Sequence, residues 1–142
     1  MSEIEYKIDF NRRVFDRLQI PVIDALLMDK YYSFMLDTGS NGNIIDKDFF
    51  EDLKRNNDLN IVSKPQKIIA AGLIEEESVE SVDLTIMIEG KEVTFPFAVV
   101  DLSNLRKKIR TTAGSEIEGL LGCRFFDHYN WILDFKEWCV WK

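Results

Sequence analysis

Phe34-Met35-Leu36-Asp37-Thr38-Gly39-Ser40 is an apolar run that ends in a carboxylate, a hydroxyl, a glycine and a second hydroxyl. Asn41-Gly42-Asn43 follows, and then a second apolar pair, Ile44-Ile45. The pattern reads as a buried strand that delivers Asp37 to a turn, with a further strand leaving it. From average residue usage, Asp-Thr-Gly followed by Ser or Ala is expected in under ~1% of chains of this length, so the stretch is specific for its size. An aspartate that merely caps a hairpin is the plain alternative. It leaves the apolar segments on both sides unexplained.

Upstream, Ile20 to Met28 is an apolar segment, Asp29-Lys30 supplies a turn, and Tyr31 to Leu36 resumes the run. The two read as a β-hairpin whose second strand carries the chain to Asp37. Further back, Ile4, Tyr6, Ile8 and Phe10 alternate with polar residues, so residues 1–19 are read as an N-terminal strand or an interface segment. Downstream, Asp46 is a good N-cap for a short helix that carries Phe49, Phe50 and Leu53 and ends near Asn56-Asn57. Ile61-Val62 and Ile68-Ile69 read as strand, Gly72 as a break, Glu75 to Glu77 as a solvated acidic tip, and Val79 and Val82 as the return. Leu84, Ile86 and Ile88 alternate, Glu89-Gly90-Lys91 turns the chain, and Val93, Phe95, Phe97 and Val99 alternate again. Pro96 inside that return strand implies an edge or a bulge. Arg106-Lys107-Lys108 with Arg110 falls on a short helix and reads as its solvated face, with Thr111 to Ser115 as loop. Ile117 to Leu121 is a strand ending at Gly122, followed by a helical turn at Phe125-Phe126 and closing strands over Trp131 to Phe135 and Trp138 to Trp141. Many short strands, tight turns and two or three short helices predict an all-β fold, a closed and mostly antiparallel barrel.

Composition narrows the function. With 142 residues and 46% hydrophobic content, the chain is expected to form a single domain over 1–142 around one core. Acidic residues outnumber basic ones, 25 to 18, giving a net charge of −7, and no Lys/Arg stripe interleaves with aromatics; nucleic acid is not an expected partner. No run approaches the ~20 apolar residues of a membrane span, and Met1-Ser2-Glu3-Ile4-Glu5 lacks the basic start and apolar stretch of a secretory signal, so no membrane partner and a cytoplasmic location are expected. Cys123 and Cys139 belong to no metal-binding pattern and are read as buried free thiols, so no metal is expected. His128 is the only histidine, and no Gly-x-Ser-x-Gly elbow is present. Asp101 and Asp134 are read as strand-end aspartates, since neither is followed by Thr/Ser-Gly. Trp131, Trp138 and Trp141 are read as packing the core or an interface. Carboxylate chemistry is what remains.

That chemistry accounts for the residue types around Asp37. Two carboxylates sharing one proton activate water against a peptide carbonyl: the ionised one removes a proton from water, and the protonated one donates to the carbonyl oxygen. Like charges a few ångströms apart do not both ionise, which keeps the shared proton in place. Gly39 lets the backbone approach the carboxylate and donate an N–H. The hydroxyls of Thr38 and Ser40 are candidates to tie the loop to its neighbour and to orient the outer carboxylate oxygen.

The segment resembles the active-site loop of the retropepsin-like and pepsin-like aspartic peptidases, whose signature is apolar-apolar-Asp-Thr/Ser-Gly-Ser/Ala. Their dyad is the established example of the shared proton just described. The family's second mark, an apolar-apolar-Gly that crosses behind the loop, is matched by Leu120-Leu121-Gly122. Phe125-Phe126 and Trp131 to Phe135 resemble the final helix and strand, and Ala71, Gly72 and Leu73 fall where the family places its substrate-covering flap. The motif occurs once, as in the retropepsins, so the resemblance implies a homodimer that supplies one Asp37 per subunit and cuts a peptide or protein substrate without a cofactor. It also implies catalytic roles for Asp37, Thr38, Gly39 and Ser40 and structural support from Leu120, Leu121 and Gly122. Two departures stand out: Asn41 where viral retropepsins tend to carry Asp, and Cys123-Arg124 where they carry Arg and then Asn or Asp. They motivate the alternative of a non-catalytic peptide-binding or scaffolding module with the same fold.

Overall fold

The structure, a computed structural model, describes residues 6–57, 59, 66–69 and 76–142. In chain order its elements are β1 (Lys7–Asp9), α1 (Arg12–Leu18), β2 (Val22–Leu27), β3 (Lys30–Leu36), β4 (Asn43–Asp46), α2 (Lys47–Asn56), β5 (Gln66–Ile68) and β6 (Glu76–Val79). They continue with β7 (Ser81–Ile88), β8 (Lys91–Val100), α3 (Ser103–Ala113), β9 (Gly119–Leu121), α4 (Cys123–Tyr129), β10 (Ile132–Asp134) and β11 (Cys139–Trp141). Six strands close into a barrel in the order β2-β3-β9-β4-β8-β7. Closure satisfies both edges of each strand without a second sheet. Outside it, β1-β11-β10 form a three-stranded antiparallel sheet, and β5 pairs with β6.

Two hairpins build most of the barrel wall. β2 pairs with β3 from Val22↔Met35 to Leu27↔Lys30, and β7 pairs with β8 from Ser81↔Ala98 to Ile88↔Lys91. Their turns place Met28 and Asp29, and Glu89 and Gly90, at positive φ. A two-residue turn with both residues at positive φ matches the right-handed twist of the strands it joins. Alternation then buries Ile23, Ala25 and Leu27 on β2 and Val82, Leu84, Ile86 and Ile88 on β7. Pro96 sits opposite Asp83, just before β8 begins its parallel pairing with β4 at Phe97, so β8 is still an edge on that side as the proline implied. The pairs β3–β9 and β4–β8 are parallel and the remaining barrel pairs antiparallel.

The helices depart from expectation in three places. Among the described residues there are four, the additional one being α1, which starts at an Asn11 cap whose side chain accepts the Val14 N–H and stops at Gln19 in the left-handed region. Residues 7–9 form the expected N-terminal strand, but residues 12–18 wind into this helix because Val14 and Leu18, one turn apart, both bury against the barrel wall. Second, Thr111 to Ser115 is not a loop from its start: α3 runs through Ala113, which is buried, and ends at Gly114 with φ 66. Third, Arg106 is not on a solvated face. Its guanidinium donates to the Asp46 carboxylate at 2.7 Å and to the Ile117 carbonyl at 2.8 Å, while Lys107, Lys108 and Arg110 are exposed.

Apolar packing fills the barrel and one flank. Phe34 and Phe97, both fully buried, meet at 6.2 Å inside the barrel, and Phe50 of α2 and Phe125 of α4 belong to the same cluster. On the flank, Val14 of α1 and Ile109 and Ala113 of α3 pack with Val22, Ile44, Ala98 and Leu120. Trp131 is buried in the main cluster and its indole N–H donates to the Tyr6 hydroxyl at 2.7 Å, whereas Trp138 is exposed beneath the Arg12 guanidinium. No helix among the described residues is long and apolar enough to cross a membrane.

Candidate active site

Phe34 and Leu36 point into the core at the end of β3, so the chain emerges from the barrel wall at Asp37. Parallel pairing aligns Met35 with Leu120 and Leu36 with Leu121, and the Asp37 N–H donates to the Leu121 carbonyl at 2.9 Å. Leu120-Leu121-Gly122 therefore crosses directly behind Asp37. The turn closes through two further donors: Ser40 N–H to the Asp37 carbonyl at 3.1 Å and Gly39 N–H to Asp37 Oδ1 at 2.9 Å. Asp37 is half-buried, and its second carboxylate oxygen meets no donor among the described residues. A backbone N–H on one oxygen and none on the other leaves a carboxylate held in place with one face available for chemistry.

Gly122 decides how closely the two segments meet. A Cβ there would lie 2.4 Å from the Gly42 carbonyl oxygen and 2.8 Å from that of Ser40. Its φ of −109° suits any residue, so contact rather than conformation demands glycine. From this corner a row of donors reaches the loop: Gly122 N–H to Asn43 Oδ1 at 2.9 Å, Cys123 N–H to the Ser40 carbonyl at 2.9 Å, and Arg124 N–H to the Asn41 carbonyl at 3.1 Å. The Cys123 thiol donates to the Thr38 carbonyl at 3.0 Å.

Asp37, Thr38, Gly39 and Ser40 thus share one turn, and Leu120, Leu121 and Gly122 support it. Ser40 is buried and its hydroxyl donates to the Gly42 carbonyl at 2.7 Å, bracing the loop instead of orienting the carboxylate. Thr38 is exposed, with no hydrogen bond from its hydroxyl among the described residues. Ile61, Val62, Ala71, Gly72, Leu73 and Glu75 lie outside the described residues, while Glu76 and Glu77, expected in an acidic tip, belong to strand β6, where Glu76 pairs with Ile68 of β5. Cys139 is buried as expected; Cys123 is exposed, because the first turn of α4 faces outward at the loop. Asp101 accepts the Ser103 N–H and Asp134 those of Lys136 and Glu137, with the Trp141 indole N–H on its other oxygen. These donors hold both carboxyls below the usual range, as suits turn-capping aspartates.

Asn43 and Glu118 escaped the sequence reading, and Asn41 was noted there only as a departure from the viral pattern. Asn43 is fully buried, its Oδ1 holding Gly122 and its Nδ2 without a partner among the described residues; a lone amide ahead of Ile44-Ile45 was the available signal. Asn41 donates its N–H to the Ile69 carbonyl at 3.0 Å and accepts the Ile69 N–H on Oδ1 at 3.1 Å, which ties the end of β5 to the loop. Glu118, just before β9, accepts the Ser33 N–H at 2.7 Å and returns its own N–H to the Ser33 carbonyl at 2.8 Å. Burial pushes its carboxyl up to about 7 against the pull of that N–H and of Arg106, with Glu116 and Asp24 adding to the rise. Among the described residues no group of three His, Cys, Asp or Glu is placed to hold a metal ion.

No protein-family model matches the chain. No curated protein sequence matches it either. Solved structures do. The chain is similar to a retropepsin-like aspartic protease from Rickettsia conorii, at 20% identity and a TM-score of 0.54, over 99% of this chain and 96% of that one. It is also similar to the retroviral protease-like domain of Ddi1 from Leishmania major, at 14% identity and a TM-score of 0.51, over 84% of each chain. The fold is retropepsin-like.

Proposed function

We propose that the chain is one subunit of an aspartic endopeptidase, in which Asp37 from each of two identical protomers activates a single water for attack on a peptide bond. The observation that carries this reading is the Asp37 carboxylate itself: gripped through Oδ1 by the Gly39 N–H, pinned from behind by Leu121, and open on its other oxygen among the described residues. A second copy would supply the facing carboxylate, since neither Asp101 nor Asp134 lies in a comparable turn. Similarity to the Rickettsia conorii protein, described as an aspartic protease, supports the same chemistry. Ser40 braces the loop, Thr38 faces outward where a partner loop would meet it, and the segment Ala71-Gly72-Leu73 covers the substrate. An extended peptide would lie beside the loop by strand addition, with pockets reading alternate side chains. No cofactor takes part.

Asp37→Asn tests the assignment. Asn keeps an acceptor for the Gly39 N–H, so the fold survives while peptide cleavage falls by at least about 10³-fold. Cleavage at the wild-type rate by a folded variant would remove Asp37 from the mechanism. Sedimentation supplies the second arm: a strict monomer at high concentration would favour a peptide-binding module with the same fold, because one carboxylate forms no dyad.

A further inference from the structure

Asn41 offers the loop's outer rim a strand-like edge, its backbone N–H beside the Oδ1 acceptor, and both are occupied by the main chain of one residue. Ile69 accepts the Asn41 N–H at 3.0 Å and donates its own N–H to Asn41 Oδ1 at 3.1 Å. The remaining main-chain group, the Asn41 carbonyl, is taken by Arg124 N–H. The Ile69 side chain is 55% exposed and belongs to neither apolar cluster among the described residues. What holds it is the reciprocal pair, and that pair lies four residues along the loop from Asp37. A peptide adding as a strand at this rim needs an unpaired main-chain donor and acceptor, and at Asn41 both are already filled from within the chain.

We propose that the Asn41–Ile69 pair is an internal latch: the chain docks its own main chain on the rim where an extended peptide would pair, and a peptide enters only by displacing Ile69. The inference rests on the peptidase reading, in that the peptide concerned is the substrate of the Asp37 site. It gives the unliganded protein a built-in competitor for the Asn41 edge. The effective competitor is intramolecular, so its occupancy does not fall on dilution.

The latch is weakened from the Ile69 side by removing one of its two hydrogen bonds, so that the bond from Asn41 N–H to the Ile69 carbonyl holds alone and Asn41 stays intact for the peptide. Ile69→Pro removes the N–H that reaches Asn41 Oδ1, at a position that follows a strand and has an exposed side chain. Ile69→Val keeps the N–H and serves as control. With a statine-containing hexapeptide as probe, Ile69→Pro of the full chain is expected to bind about fivefold more tightly than wild type, the change an ordinary hydrogen bond supplies, and Ile69→Val to bind as wild type. Amide hydrogen exchange reads the latch without a ligand: the Asn41 amide is protected in the free wild-type chain and exchanges faster in Ile69→Pro. An unprotected Asn41 amide, or a wild type that binds the probe no more weakly than Ile69→Pro, overturns the latch and leaves the peptidase reading standing. A protected amide in a protein that neither binds the probe nor cleaves peptide in any of the three forms overturns the peptidase reading, and the latch as a substrate competitor with it.

Discussion

Gly122 and Glu118 stand at the two ends of β9 and make opposite demands on it. At Gly122 the demand is steric: two carbonyl oxygens of the Asp37 loop occupy the space a methyl would need. Backbone atoms do not swing aside as a side chain does, so Gly122→Ala is expected to cost about 3 kcal/mol in urea denaturation and to loosen the loop with it. At Glu118 the demand is electrostatic. The folded protein holds the carboxyl proton up to about pH 7 against an ordinary value of 4.5, so the stability this residue contributes is full below about pH 4.5 and is lost as pH rises through 7. Discounted for partial exposure, the loss is about 2 kcal/mol by pH 8. Glu118→Gln keeps an acceptor for the Ser33 N–H without the charge, so the variant should match wild type near pH 5 and exceed its stability at pH 8 in parallel denaturation curves. The Asp37 turn and its Leu120-Leu121-Gly122 support were legible in the sequence because each is a short contiguous motif. Asn43 and Glu118 were not, since what makes them notable is a partner far away in sequence, Gly122 for one and Ser33 for the other.

Among the elements, both barrel hairpins were readable from period-2 alternation, because a strand with one face buried writes its geometry directly into residue order. Helix α1 was harder to see. Seven residues carry only one turn's worth of apolar spacing, and that signal is lost among Arg12, Arg13, Asp16 and Arg17. The solvated-face reading of Arg106 failed for a related reason: its partner Asp46 lies 60 residues away at the end of β4. Asp46 is 1% exposed and joins three elements at once, capping α2 through Phe49 N–H, receiving Leu102 N–H ahead of α3, and pairing with Arg106 within it. Asp46→Ala strands two backbone donors and a largely buried guanidinium, and is expected to destabilise the fold by about 4 kcal/mol. Adding Arg106→Met to that variant should recover part of the loss in a double-mutant cycle, because the orphaned charge goes with it. Additive losses would show that the two side chains act independently.

For the whole molecule, barrel closure leaves the peripheral sheet β1-β11-β10 as the place where both ends of the described chain are secured. Tyr6 N–H donates to the Lys142 carbonyl at 2.9 Å, and Lys142 N–H returns the bond to the Tyr6 carbonyl at 3.0 Å. One hydrogen-bonded rung therefore ties the first described residue to the last, and residues 6–142 run close to a ring. Covalent closure asks little more of it: joining Lys142 to Tyr6 through a short glycine-rich linker and reopening the chain at the Glu89-Gly90 turn should give a circular permutant that keeps the barrel. Its far-ultraviolet circular dichroism and urea midpoint should stay near those of the parent. The order of the strands along the chain would change while each kept its neighbours, so the architecture belongs to the contacts and not to the sequence in which the strands are joined.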